Sequence, residues 1–436
     1  MDSSRFSGAL LFAAFPRRAW NIAFFCIAAF VFLCLPVSGA AAQTLSLTET
    51  LGLAGANQPM LEGQRAAIES SQQAAIAAGQ LPDPKLKAGI LNLPIEGVDA
   101  FTLGRDSMTM RMVGVMQEFP REAKRRLRGE LVRLDAEQKS LELDFTTRMI
   151  RRDAGLAWLD AWFAERAQEA TRALQKEAQT QIDTPTIGLR AGRIGAAEVA
   201  AARVELELLK DREAEFSRRA AVARAELGRW IGEPASRPLS VEPPLLPETQ
   251  SVAQLLDHVE RHPHLTAFAK QVQIAETDAR LAQEAGKPDW NVEIAYAQRG
   301  AAYSNMVSIQ FGIDLPLFQG NRQDRIALSR LADASSARSR REDNLRQMRA
   351  DLMRLVAERD SAAARAAGFR ERILPQAQAR LDAATAAYRA GTASLASVLE
   401  ARRALLDLQL ERLEREAEAA RGTMQLDYFA TAGGGQ

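Results

Sequence analysis

The sequence predicts a mainly α-helical protein with a small β part, in which one long helical hairpin and one pair of strands occur twice. Three observations carry this prediction. First, a glycine-centred bend is duplicated: Leu189-Arg190-Ala191-Gly192 runs into Gly195-Ala196-Ala197-Glu198-Val199, and Tyr388-Arg389-Ala390-Gly391 runs into Ser394-Leu395-Ala396-Ser397-Val398. A single shift lays Arg190 on Arg389, Gly192 on Gly391, Val199 on Val398 and Arg203 on Arg402. A glycine between two long helical stretches caps the first helix and reverses the chain, and two such bends imply an internal duplication. Second, the returning helices repeat their apolar residues every seven positions, as helices braced against partners along their length do. Third, each half carries two short strand segments, and those of the second half alternate apolar and polar residues with period two, the pattern of strands with one apolar face.

Taken in order, residues 1–42 read as a cleaved secretory signal peptide. Arg17 and Arg18 precede an apolar run from Trp20 to Leu35, and Ala40-Ala41-Ala42 fits a small-residue cleavage site. The run is shorter than the roughly 20 residues that a membrane-spanning helix needs. Residues 43–233 form the first repeat. Its opening helix, 45–81, is interrupted at Pro59 and stopped by Pro82-Asp83-Pro84. A weak strand over 85–93, a loop over 94–105 and a second strand over 108–119 follow. Pro120 then begins a helix that meets no proline as far as residue 181, a rod of roughly 90 Å at 1.5 Å per residue. In the returning helix Ala202, Leu209, Phe216, Ala223 and Trp230 fall seven apart, and Val199, Leu206, Ala220 and Leu227 form a second row broken at Glu213.

Five prolines crowd residues 234–250, which read as a linker without regular structure. Residues 251–430 repeat the plan. A helix covers 252–285, with His262-Pro263 standing where the first half has Gln58-Pro59. Trp290, Val292, Ile294 and Tyr296 alternate with Asn291, Glu293 and Ala295, and Val307, Ile309, Phe311, Ile313 and Leu315 alternate in the next segment. A second rod extends to about residue 390 with a kink expected at Pro375. Its return carries Leu399, Leu406, Leu413 and Ala420 in one row and Leu410, Ala417 and Met424 in the other. Residues 431–436 read as a flexible tail.

Composition narrows the function classes. Both cysteines, Cys26 and Cys34, lie in the leader, so the mature chain has no disulfide and is held together by packing. The formal charge of +1 includes Asp2, Arg5, Arg17 and Arg18, a net +2, which leaves about −1 for the mature chain. Basic runs such as Lys124-Arg125-Arg126 are balanced by nearby glutamates, so nothing points to nucleic acid. The sequence holds no nucleophile motif, no phosphate-binding glycine loop and no metal quartet; neither an enzyme nor a cofactor is expected.

Strands of about ten residues with one apolar face have the length and pattern of tilted strands crossing a bilayer. Four cannot close a barrel, since small membrane barrels need about eight, and lipid tolerates no open edge. Copies of the chain must therefore pool their strands around an axis: two would supply eight, three would supply twelve.

Together the duplicated Arg-Ala-Gly bends, the Pro59 and Pro263 segments and the strand-to-helix junctions at Pro120 and Pro316 resemble the TolC-type outer-membrane efflux proteins, over essentially the whole mature chain. Gln117-Glu118-Phe119-Pro120-Arg121, followed by Lys124-Arg125-Arg126-Leu127-Arg128, is similar to the heavy-metal branch of that family. The resemblance implies a homotrimer with a shared 12-stranded β-barrel in the outer membrane and a long periplasmic α-barrel. It also implies a periplasmic adaptor and a proton-driven inner-membrane pump, for which the chain is the passive exit duct. Heavy-metal cations are the expected cargo; drugs or secreted proteins are the alternative, and a periplasmic coiled-coil adaptor or scaffold is the alternative from another class.

By the same resemblance, Arg190, Gly192, Arg389, Gly391 and Ser394 fall at the periplasmic tip, where adaptor hairpins dock. Glu198 and Glu400, once per protomer each, are expected to form acid rings around the aperture; Ser397-Val398-Leu399-Glu400 stands where relatives carry two aspartates. His258, His262 and His264 have a spacing that can hold a metal on one helical face, though a helix-start role for His262-Pro263 is the simpler reading. Met108, Met110 and Met112 share a strand face and suit soft ions such as Cu(I); alignment of the halves turns them to the lumen, whereas an apolar face that must meet lipid turns them outward. Trp158 and Trp162, at helical spacing, read as packing residues.

Overall fold

The computed structural model describes residues 44–56, 58–190, 196–248 and 250–430, with side chains throughout except at 181–190. The leader, Gly192 and the tail lie outside the described residues. Two short helices open the chain, α1 (Leu47–Ala54) and α2 (Pro59–Ala78), followed by strands β1 (Lys85–Leu91) and β2 (Met110–Phe119). The hairpin helices α3 (Glu122–Arg190) and α4 (Ala196–Ile231) follow. The second set comprises α5 (Val252–Arg261), α6 (Pro263–Glu284), β3 (Trp290–Gln298), β4 (Met306–Ile313), α7 (Gln323–Gly368), α8 (Leu374–Arg389) and α9 (Leu395–Asp427). The chain is mostly helical with one small antiparallel sheet, as its periodicities predict.

Helix α3 continues past the expected limit near residue 181 and through Pro185; its 69 residues span about 100 Å at 1.5 Å each. The break expected at Pro375 takes the form of a π turn, Phe369–Ile373, between α7 and α8. The wider turn sits where the proline ring presses on the preceding turn, whose hydrogen bond it cannot complete. Two expectations are corrected. The helix read over 252–285 is two helices, because His262 adopts an extended conformation (φ −63°, ψ 136°) ahead of Pro263, which disfavours helical geometry in the residue before it. The proline-rich stretch is not free of regular structure: Glu233–Ser236 make a 3-10 turn, and Leu45 bridges Leu239 through Leu45 N–H to the Pro238 carbonyl (2.8 Å) and Ser240 N–H to the Leu45 carbonyl (3.1 Å).

Helix contacts follow the strand order. The sheet runs β1-β2-β3-β4, and the helices joined to those strands pack in the same order, α2 on α3, α3 on α6 and α6 on α7. Farther along, α4 packs on α3, α3 on α9, and α9 on α8. The heptad rows are the contact faces: Ala202, Leu206 and Leu209 of α4 are buried with Leu395, Leu399, Leu406 and Leu410 of α9. Between these zones the core gathers Leu45, Leu47, Trp158, Leu227, Leu239 and Met424. Trp158 is fully buried and gives its Nε1–H to the Leu45 carbonyl (3.1 Å); Trp162 gives its own to the Ser240 carbonyl (2.8 Å). Both are packing residues that also clamp the linker. Gly155 is required here, since a Cβ on it would meet Met424 Sδ at 2.7 Å.

A lock recurs in both halves at the helix breaks. Gln58 Nε2 donates to the carbonyl of Trp230, near the end of α4. His262 Nε2 reaches the carbonyl of Tyr428, just past α9 (3.0 Å), while its Nδ1 accepts the His264 N–H (3.3 Å). The two bonds together require the neutral ring with its proton on Nε2. His262 is 2 % exposed, and burial, with Arg148 nearby, lowers its pKa from 6.5 to about 4.

A pH dependence follows. At neutral pH the ring is uncharged in both folded and unfolded chains and contributes no linkage. As pH falls from about 6.5 to about 4, the unfolded chain takes up a proton that the folded chain refuses, and the fold loses stability on the order of 3 kcal/mol. His262→Gln, which keeps a donor as Gln58 does, is expected to remove most of the difference between melting temperatures at pH 7 and pH 4.5. An unaltered difference would exclude His262 as its source.

Candidate functional site

The sheet has two faces of opposite character, fixed by its register. Leu86 pairs with Val115, Val115 with Ile294, and Ile294 with Ile309, one apolar row across all four strands. These side chains are between 49 % and 74 % exposed. The neighbouring row, Ala88, Val113, Tyr296 and Val307, points the same way. Toward the helices Phe119 stacks on Trp290 (4.2 Å between centroids, 13°), and Trp290 pairs with Ile313. An exposed apolar band with aromatic residues toward its ends matches a strand set facing hydrocarbon.

The opposite face is small and polar. Lys87, Gly114, Ala295 and Ser308 form one row; Lys85, Met116, Glu293 and Gln310 form the next. Lys87 pairs with Glu293 and Lys85 with Glu118, both at 2.5 Å. Met110 and Met112 fall on this face, because Met112 pairs with Ala297. Both therefore lie opposite the exposed apolar band; Met108 lies before the strand. Helix α3 is tied to the sheet by Lys124, whose ammonium reaches Asp289 (2.8 Å) and the Lys287 carbonyl (2.7 Å).

The other region of interest is the bend between α8 and α9. Gly391 has φ +73°, a left-handed conformation that favours glycine. Its N–H bonds the Tyr388 carbonyl and the Thr392 N–H bonds the Ala387 carbonyl, both at 3.0 Å, closing the end of α8 in a Schellman arrangement. Ser394 caps α9 by accepting from the Ser397 N–H (3.4 Å), and Arg389, at the end of α8, is exposed. Arg190 ends α3 in backbone terms only, its side chain lying outside the described residues, as does all of Gly192. Glu198 is partly exposed in the first turn of α4. Glu400 is exposed and paired with Arg380 of α8 (2.9 Å). The bend therefore brings Arg389, Gly391, Ser394 and Glu400 together, with Glu198 on the neighbouring hairpin.

Sequence reasoning missed the ties between the hairpins. Arg403 of α9 reaches Glu205 of α4 (3.4 Å), Arg402 of α9 reaches Glu177 of α3 (3.7 Å), and Arg212 of α4 pairs with Asp407 of α9. Their partners lie some two hundred residues apart, and no local pattern announces them. The histidines do not assemble a metal site: His262 is the helix-cap lock, and His264 stacks on Phe145 (4.6 Å). Among the described residues no group of three or more His, Cys, Asp or Glu is placed to hold a metal ion. Nor, among them, is any helix long and apolar enough to cross a membrane.

Comparison with known proteins fits this geometry. Residues 257–428 match the family model of the outer membrane efflux protein. The chain is 24 % identical over 393 residues to the cobalt-zinc-cadmium resistance protein CzcC of Cupriavidus metallidurans, covering 86 % of this chain and 87 % of that one. Among solved structures it is similar to the CmeC outer membrane channel of Campylobacter jejuni (TM-score 0.74, 14 % identity, 88 % and 85 % covered). It is also similar to the outer membrane protein VceC of Vibrio cholerae (TM-score 0.72, 19 % identity, 88 % and 94 % covered). The whole-chain fold is thus shared with these proteins, the sheet and the helical hairpins included. Residues 257–428 thus carry the outer membrane efflux protein domain, on a fold shared with solved outer membrane channels.

Proposed function

We propose that the chain is the exit duct of a tripartite efflux system. Three copies complete a 12-stranded barrel in the outer membrane, and their hairpins continue it into the periplasm as a helical tube. An adaptor docks at the tip, and a proton-driven inner-membrane pump supplies the energy. One observation carries this reading. The sheet exposes an apolar face over most of its length and, among the described residues, leaves both of its edge strands, β1 and β4, without partners on their outer sides. An apolar sheet face seeks lipid, yet lipid tolerates no unpaired strand edge, so the edges must meet those of sister chains. The helix layer is open along the same two sides: α2 and α7 are its outermost members beside the sheet, and exposed apolar residues such as Ile76, Ile326 and Leu328 lie on them.

Heavy-metal cations are proposed as the cargo on the strength of the CzcC relative, whose name states resistance to cobalt, zinc and cadmium. The tip is proposed as the adaptor contact, through Arg190, Gly192, Arg389, Gly391 and Ser394. Glu198 and Glu400 are proposed to line the aperture. The exposed Arg380–Glu400 pair is of a kind worth at most about 1 kcal/mol, so it leaves that carboxylate available to a passing cation.

Three measurements test these statements. Ile309→Arg, on the apolar face, is expected to cost about 2–4 kcal/mol of insertion energy and to deplete the protein from the outer-membrane fraction, whereas Ser308→Arg, one residue along on the polar face, is expected to insert normally. Equal behaviour of the two would reject the barrel. Deletion of the chain in its host is expected to raise sensitivity to cobalt, zinc or cadmium on a panel that includes dyes and antibiotics; sensitivity to the organic compounds alone would reassign the cargo. In planar bilayers Glu400→Gln is expected to reduce cation preference and Arg380→Gln to increase it; unchanged selectivity in both would remove Glu400 from the aperture.

A further inference from the structure

We propose that the polar face of the sheet holds a thioether site for a soft monovalent cation, Cu(I) or Ag(I), built from Met110, Met112 and Met306. The proposal rests on the reading of that face as the duct wall, where a migrating ion can reach it.

The register makes the cluster. Met112 pairs with Ala297, and Ala297 pairs with Met306, so two methionines flank a single small residue on one face. Neighbouring strands lie about 4.8 Å apart, which places the two methionine backbones roughly 10 Å from each other. Met110 stands two residues before Met112 on the same strand face, about 7 Å away. Three flexible side chains of that length can bring their sulfurs together over the methyl group of Ala297, which is only 5 % exposed on this single-layered sheet. Met116 continues the row along β2 beside Glu293.

The distribution of methionine is unlike that of a core. Five of the chain's 11 methionines (Met108, Met110, Met112, Met116 and Met306) lie in this sheet or at its margin. Met348 and Met424, by contrast, are buried among helices. Met110, Met112, Met116 and Met306 are half-buried or exposed, with Gly, Ala, Ser, Lys and Leu91 as neighbours, and they face away from the apolar band.

Charge selects the ion. The two carboxylates on this face, Glu118 and Glu293, are each occupied by a lysine. What remains on offer is neutral sulfur, which suits soft Cu(I) or Ag(I) and gives little to divalent ions that favour nitrogen and oxygen ligands. Toward the loops Arg299 is engaged by the Ser107 carbonyl and lies over the Tyr303 ring (4.9 Å), and Arg111, between Met110 and Met112, lies on the opposite face. Asp106, which accepts from the Met108 N–H (2.8 Å) and the Thr109 hydroxyl (3.1 Å), supplies a negative charge at the same end.

The test is equilibrium dialysis of the purified detergent-solubilised protein against silver nitrate in chloride-free buffer, with bound metal counted by mass spectrometry. The wild-type protein is expected to retain silver, and Met110→Leu/Met112→Leu/Met306→Leu to lose at least about tenfold in affinity, while zinc and cadmium binding stays unchanged. Leucine keeps the side-chain volume, and Met306→Leu alone, on an edge strand, serves where the triple variant fails to assemble. Silver retained equally by wild type and variants, or by neither, overturns the site. Complementation of the deletion strain separates this from the duct itself: metal tolerance with no silver binding leaves the duct and removes the site, and silver binding with no tolerance to any metal leaves the site and removes the duct.

Discussion

Unpaired main-chain groups along two strand edges are the constraint on which the rest of this structure turns. Strands β1 and β4 each bond to one neighbour only, and the face they share with β2 and β3 is apolar and exposed from Phe119 and Trp290 to Val113 and Tyr296. Water could solvate the edges but not the face, and lipid could solvate the face but not the edges. The closed ring of several chains proposed above would satisfy both at once. The inner face can then be polar without cost, which explains why its charges are cross-strand pairs, Lys85 with Glu118 and Lys87 with Glu293.

The helices inherit their arrangement from the sheet. Each strand runs directly into or out of a helix, and the helices pack in strand order, so one layer passes from sheet to helical wall without a change of sequence of neighbours. Such a wall requires close approach in places. Gly155 lets α3 meet Met424 of α9, and Gly422 lets α9 meet α7, where a Cβ would lie 2.8 Å from that of Arg359. The duplicated unit also solves the same local problem twice by different chemistry: Gln58 and His262 both tie a helix break to the end of a returning helix, but only the histidine titrates.

Much of this was legible because it repeats with a period. The alternation in β3 and β4 and the seven-residue rows in α4 and α9 depend only on which residues share a face. The face of β2 was not legible, since Met110 and Met112 on one side and Val113 and Val115 on the other are all apolar; only pairing with Ala297, Ala295 and Ile294 separates them. The break at His262 was half visible in Pro263, but its partner, the Tyr428 carbonyl, lies 166 residues away. The 3-10 turn and the Leu45–Leu239 bridge escaped for the same reason: proline density forbids long elements, yet says nothing about a contact with a strand-like residue near the other end of the chain.

The forces that hold the wall differ along its length, and the difference bears on how a duct of this kind works. Near its middle the helices close over Trp158, Leu159, Leu227 and Met424, all at or below 2 % exposure, so separating them would return large apolar areas to water. Toward the bend between α8 and α9, the hairpins are also joined by exposed or half-exposed arginine–carboxylate pairs, Arg403 with Glu205 and Arg212 with Asp407, and Arg380 with Glu400 ties α8 to α9 within one hairpin. Such pairs contribute about 0.2–1 kcal/mol each and weaken with salt. They lie beside a buried apolar contact of Ala202, Leu206 and Leu209 with Leu395, Leu399 and Leu406, which salt does not weaken. Salt therefore loosens only part of the contact near the bend and leaves the buried middle untouched.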